Sequence, residues 1–139
     1  MEHDDKVALV QSMPLFSGCS RKEAALVAAL LVEEHLAAGQ VLARQGQDAG
    51  TAYLIVDGTA SVIRNGHQLA TLGPQDIVGE MSLLDKRPRV ATVTALTDMR
   101  VLALTHEDLD ALLLKVPSLA YNLLSVLARR LGDLDRESA

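Results

Sequence analysis

The chain has 139 residues, 49% of them apolar and only 2% aromatic, with a formal net charge of −5 from 18 acidic and 13 basic residues. That length suits one domain, and the apolar share supplies a core of Leu, Val, Ala and Ile without a metal or a disulfide to hold it. The acidic balance argues against a nucleic-acid surface, because DNA affinity rests on Lys and Arg neutralising phosphates. The single Cys19 excludes an internal disulfide and fits a reducing cytoplasm.

The opening residues, Met1 to Lys6, are polar and acidic, unlike the basic-then-apolar order of a signal peptide. No apolar run approaches the roughly 20 residues of a membrane span, so the expectation is a soluble, cytoplasmic protein without membrane association. Val7, Leu9, Val10 and Met13 recur at helical spacing, and Pro14 ends the run. Cys19, beside Gly18, reads as inert filler rather than a reactive thiol. Ser20 with Glu23 forms a capping box, and the alanine- and leucine-rich stretch from Glu23 to Leu31 that follows is a strong helix former.

After about Val32 the texture changes to short apolar runs punctuated by Gly39, Gly46, Gly50, Gly58, Gly66, Gly73 and Gly79. Ala52–Val56, Ala60–Ile63, Ala91–Leu96 and Arg100–Leu104 read as strands. Asn65-Gly66 is the favoured two-residue hairpin turn, since both positions tolerate positive φ. Short strands at about ten-residue spacing indicate a β-sandwich or barrel. From Thr105 the helical period returns, with Asp108 completing a cap signature and Leu109, Leu112 and Leu113 on one face. Pro117 breaks that helix and opens the next, along which Ala120, Leu124, Leu127, Leu131 and Leu134 form a coiled-coil-like stripe. The predicted architecture is α+β. N-terminal helices over about 4–32 precede an antiparallel β-roll of about eight strands over about 33–104. Closing helices over about 105–135 complete a single domain.

One stretch carries chemistry: residues 79–92, reading Gly-Glu-Met-Ser-Leu-Leu-Asp-Lys-Arg-Pro-Arg-Val-Ala-Thr. It has the look of a short helix that begins at a glycine between two strands, with free backbone N–H groups facing an anion. Gly79 lets a ligand approach the backbone. Arg89 follows a proline that stiffens the loop, and its guanidinium suits a phosphate with two parallel hydrogen bonds. Glu80 suits a sugar hydroxyl. Lys86 and Arg87 read as solvated charges.

These residues resemble the phosphate-binding cassette of the cyclic-nucleotide-binding domain family, known from catabolite activator proteins, protein kinase A regulatory subunits and cyclic-nucleotide-gated channels. The resemblance extends to Pro14-Leu15-Phe16, to the strand ending Val56-Asp57-Gly58, and to the closing helix pair. It implies an eight-stranded β-roll (a jelly roll) with helices at both ends, and a ligand, cyclic AMP with cyclic GMP as the other candidate. By position, Arg89 pairs with the cyclic phosphate, Glu80 takes the ribose 2′-hydroxyl, and Gly79 lies against the ribose. Ser82 and Val90 offer backbone N–H groups to phosphate oxygens, Met81 packs the short helix, and Ala91 supplies a small residue. Val78 stands where many members carry Phe, and Val90 replaces a hydroxyl residue that often holds guanine. Leu134 and Asp135 fall where the resemblance places a lid over the base, although neither is a hydroxyl residue.

Other functions fit less well. A metalloenzyme of β-roll type needs clustered histidines, whereas His3, His35, His67 and His106 are scattered and read as surface residues. No catalytic residue, metal or cofactor is therefore expected. A helix-turn-helix for DNA would have to follow the last helix, and no such segment precedes Ala139. The chain reads either as a complete small sensor or as the regulatory piece of a longer protein, and the runner-up function is a ligand-free relic of the fold used for interaction. The C-terminal stripe has two readings, packing on its own β-roll or pairing in a homodimer.

Overall fold

In a computed structural model of the chain, which describes residues 1–46, 50–78, 91–122, 124, 125 and 128, helix α1 runs His3–Ser12 and buries Val7 and Val10. Met13 then turns extended, at φ −84° and ψ 137°, because a residue before proline is pushed out of the helical region. Pro14 opens a single 3-10 turn, Pro14–Phe16, that buries Leu15 and Phe16. The capping box is formed: the Ser20 amide donates to Glu23 Oε1 at 2.9 Å and the Glu23 amide donates to Ser20 Oγ at 3.1 Å. Helix α2, Arg21–Leu30, follows with Ala24, Val27 and Ala28 buried, the three- and four-residue spacing of one apolar face.

The chain divides into a helical unit, residues 1–30 and 108–139, and a β unit, residues 31–107. In the helical unit, α3 (His106–Lys115) buries Leu109 and Leu112, and a further helical run covers 117–122 after Val116. There the fully buried residues are Val116 and Leu119. Of the expected stripe, Ala120 is half-buried and Leu124 is 62% exposed, beside Tyr121 at 73%. At these two described positions the stripe is not the buried face, which Leu119 occupies; Leu127, Leu131 and Leu134 lie outside the described residues. Asn122 Nδ2 donates to the Ser17 carbonyl at 2.5 Å.

The β unit contains eight strands among the described residues, in two antiparallel sheets. The first has the order β1 (Val32–Leu36), β8 (Met99–Thr105), β3 (Thr51–Asp57), β6 (Ile77–Val78). The second has the order β2 (Val41–Ala43), β7 (Thr92–Ala95), β4 (Ala60–Arg64), β5 (His67–Leu72). This is the α+β, eight-stranded antiparallel roll with flanking helices that the residues predicted. One apolar cluster joins the sheets, with Ile55, Val78, Met99 and Val101 from the first and Leu42, Ala43, Ala60, Val93 and Ala95 from the second.

Strands β3 and β8 are central in the first sheet, and both of their faces are buried. Ile55 and Val101 enter the inter-sheet cluster, while Ala52, Leu54, Leu102 and Leu104 of the opposite face are also at most 3% exposed. That is why these strands read as near-continuous apolar runs rather than alternating ones. The edge strand β1 instead carries Glu33, Glu34 and His35, with Glu33 Oε2 2.6 Å from His35 Nε2; charges on an edge discourage pairing with other chains. The β4–β5 hairpin turns at Asn65 (φ 52°) and Gly66 (φ 80°), as its sequence required.

The β3–β4 connection passes through Gly58 at φ +94°, where an added Cβ would lie 2.5 Å from the Asp98 carbonyl oxygen and 2.8 Å from Met99 Cγ. Gly66 also has positive φ, but nothing lies within 4 Å of its would-be Cβ. Gly66→Ala should therefore cost only the left-handed strain, about 1–2 kcal/mol. Gly58→Ala adds overpacking against backbone and should cost about 2–5 kcal/mol in chemical denaturation. Equal losses in the two variants would contradict the close approach at Gly58.

In the helical unit, Cys19 is half-buried with its Sγ 3.9 Å from Ser118 Oγ. Burial raises the thiol pKa; the Ser118 hydrogen bond works against that rise and the Glu23 charge adds to it. With its thiolate disfavoured at neutral pH, Cys19 should be alkylated by iodoacetamide more slowly than a free cysteine at pH 7.5. Its rate should climb only at higher pH, and a rate at or above that of the free amino acid would refute this account.

Candidate functional site

The segment singled out by sequence lies between β6 and β7. Both flanks are firmly held. Ile77 and Val78 are buried and pair with Leu54 and Tyr53 of the first sheet. Thr92 and Val93 pair with Ile63 and Val62, and Val93 also with Ala43, all in the second sheet. The strand entering the segment thus belongs to one sheet and the strand leaving it to the other. Of the candidate contacts, Ala91 is described and is buried, at 8% exposure. Gly79, Glu80, Met81, Ser82, Arg89 and Val90 lie outside the described residues, as do the lid candidates Leu134 and Asp135. Val78, which stands where a larger residue was noted, is a member of the inter-sheet cluster, so its smaller side chain is a matter of packing.

Opposite ends of the second sheet are tied by two polar constellations. At the end holding Ala95, the Gly39 amide donates to the Ala95 carbonyl at 2.7 Å and the Leu96 amide to the Thr59 carbonyl at 2.9 Å. There, too, the Thr59 amide donates to Thr97 Oγ1 at 3.0 Å and the Ala38 amide to Asp98 Oδ1 at 3.0 Å. At the end where the candidate segment rejoins the sheet, the Gln45 amide donates to Thr92 Oγ1 at 3.0 Å. The Gln45 side chain is fixed at both of its polar atoms: Nε2 donates to Asn65 Oδ1 at 2.7 Å, and Oε1 accepts from the Asn65 amide at 3.0 Å. Sequence reasoning found Asn65 as a turn residue and included Thr92 as the end of the candidate stretch without a role, but missed Gln45. Nothing in the local pattern around Gln45 signals it, because its partners lie 20 and 47 residues away.

Among the described residues no group of three or more His, Cys, Asp or Glu side chains gathers in a way that could hold a metal. His3, His35 and His67 are exposed, as expected of surface residues, whereas His106 is half-buried at the start of α3; the surface reading fails for that one. No helix among the described residues is long and apolar enough to cross a membrane.

Residues 33–115 match the family described as "Cyclic nucleotide-binding domain". The "Cyclic AMP receptor protein" of Thermus thermophilus is 37% identical over 133 residues, covering 92% of this chain and 62% of the relative. A "cAMP-dependent protein kinase regulatory subunit" of Aspergillus niger is 31% identical over 108 residues, covering 76% of this chain and 26% of the relative. Among solved structures, the Thermus thermophilus Catabolite Activator Protein is similar at a TM-score of 0.82 with 37% identity, over 89% of this chain and 61% of that one. The N-terminal domain of a transcriptional regulator from Streptomyces coelicolor A3(2) is similar at 0.74 with 34% identity, over 94% and 95%. The chain thus spans less than two thirds of the length of the curated relatives named here.

Proposed function

The chain belongs to the cyclic nucleotide-binding domain family, and from that premise we propose that it binds cyclic AMP through residues 79–91 as a regulatory sensor that does no chemistry on its ligand. The observation that carries this reading is that the family match over residues 33–115 includes the whole segment, whose sequence holds both Glu80 and Arg89. In the proposed complex the Arg89 guanidinium pairs with the cyclic phosphate, and it stays charged at any working pH. Glu80 accepts from the ribose 2′-hydroxyl. Backbone N–H groups of Ser82 and Val90 meet phosphate oxygens, with Gly79 against the sugar and Met81 and Ala91 packing around it. The two curated relatives cited above carry cyclic AMP in their names, which favours adenine over guanine. So does Val90, whose side chain has no hydroxyl to offer a guanine base.

Calorimetric titration tests this directly. The wild type should bind cyclic AMP about tenfold more tightly than cyclic GMP, a difference of ~1.4 kcal/mol. Arg89→Ala should lose ~3–4 kcal/mol, or several hundred-fold in affinity, because a phosphate is left without its fixed countercharge. Arg87→Ala should bind as the wild type does. Unchanged cyclic AMP affinity in Arg89→Ala would overturn the assignment of that residue. No binding of either nucleotide by the wild type would move the reading to a ligand-free interaction module.

A further inference from the structure

We propose that Gln45, acting through Thr92, is a positioning residue for the nucleotide site: it ties the point where the 79–91 segment rejoins the sheet to the tip of the β4–β5 hairpin. The proposal rests on the nucleotide-binding reading above and adds to it a residue outside the segment. Three stretches of chain meet at Gln45, namely residues 44–46 after β2, the Asn65-Gly66 turn, and Thr92 at the start of β7. Asn65 and Gly66 sit at φ 52° and 80°, a two-residue turn with little freedom, so the group that grips the Gln45 amide is itself fixed. Both polar atoms of that amide are engaged by the one residue, at 2.7 and 3.0 Å, which sets the rotamer and with it the placement of the Gln45 backbone. Its N–H in turn reaches Thr92 Oγ1 at 3.0 Å, a hydroxyl on a β-branched side chain whose χ1 is stiff.

Thr92 is three residues beyond Arg89 in sequence, so their Cα atoms can be no more than roughly 10 Å apart. A shift at Thr92 is therefore passed on to the arginine through very little chain. All three hydrogen bonds lie at the surface, where water competes for the same groups and each contributes little to global stability. What they supply is placement. A segment already held in its binding geometry binds more tightly than one that must be ordered on contact, and the gain shows in slower dissociation.

The test uses Thr92→Val, which keeps shape and β-branching but has no acceptor, Thr92→Ser, which restores the hydroxyl, and Gln45→Ala, which removes the grip on Asn65. Cyclic AMP affinity and dissociation rate are measured on each together with the melting temperature of the ligand-free protein. Thr92→Val and Gln45→Ala should each bind about three- to tenfold more weakly, through faster dissociation. Thr92→Ser should stay near the wild type, and the double variant should be no worse than Thr92→Val alone, since both changes break one chain of contacts. Melting temperatures should be nearly unchanged. Wild-type affinity in Thr92→Val, beside a crippled Arg89→Ala, would overturn the positioning role and leave the nucleotide site standing. Weaker binding that merely follows a lowered melting temperature would also overturn it. A wild type that binds no cyclic nucleotide would remove the site itself, and the positioning role with it.

Discussion

Burial of one apolar cluster between two four-stranded sheets is the constraint on which the β unit depends. Ile55 and Val101 sit in it at no measurable exposure, and side chains of that size contribute about 1.5–3 kcal/mol each when fully withdrawn from water. With a 2% aromatic share in the whole chain, the cluster is assembled from many small contributions of Val, Ala, Leu and Met. Close packing then matters more than any single side chain. The β3–β8 ladder holds the first sheet together across five registered pairs, Thr51 to Ile55, before a bulge between Ile55 and Asp57. At the bulge Asp57 meets Arg100, with Oδ2 accepting from Nη2 at 2.7 Å. This exposed pair is worth little as stability, but it marks the place where the chain leaves the sheet for Gly58.

From that arrangement follows the placement of the candidate site. The apolar cluster holds the strands, and the variable chemistry sits on what connects them. Residues 79–91 join a strand of one sheet to a strand of the other, and buried Val78 and Ala91 border the stretch at its two ends. The geometry of both flanks is thus settled by pairing and packing within the two sheets.

The charge of the chain sharpens the point. A protein with a net charge of −5 does not attract a phosphate through its overall field. Recognition of the proposed ligand would rest instead on a few local donors held in position, and the contacts of Gln45 with Asn65 and Thr92 fix one flank of the candidate stretch.

Much of this was legible in the residues, because the signals are local. The capping box at Ser20 and Glu23, the break at Pro14, the Asn65-Gly66 turn and the doubly buried runs of β3 and β8 each depend on a few neighbouring residues, and each is found where the pattern put it. The candidate segment was singled out by its spacing of glycine, glutamate, proline and arginine, and its residues 79–90 lie outside the described ones. Other features belong to tertiary structure alone. Which strand lies beside which, as β1 beside β8 across the whole length of the roll, is decided by how apolar faces can be shared between distant stretches. Leu119 is buried while Leu124 is 62% exposed, a choice the periodicity left open between packing on the roll and pairing with a second copy; a helix with apolar residues on more than one face takes its orientation from what it packs on. Gln45 meets Asn65 and Thr92 for the same reason. A hydrogen bond between residues far apart in the chain exists only once the core has brought their strands to the same end of the sheet.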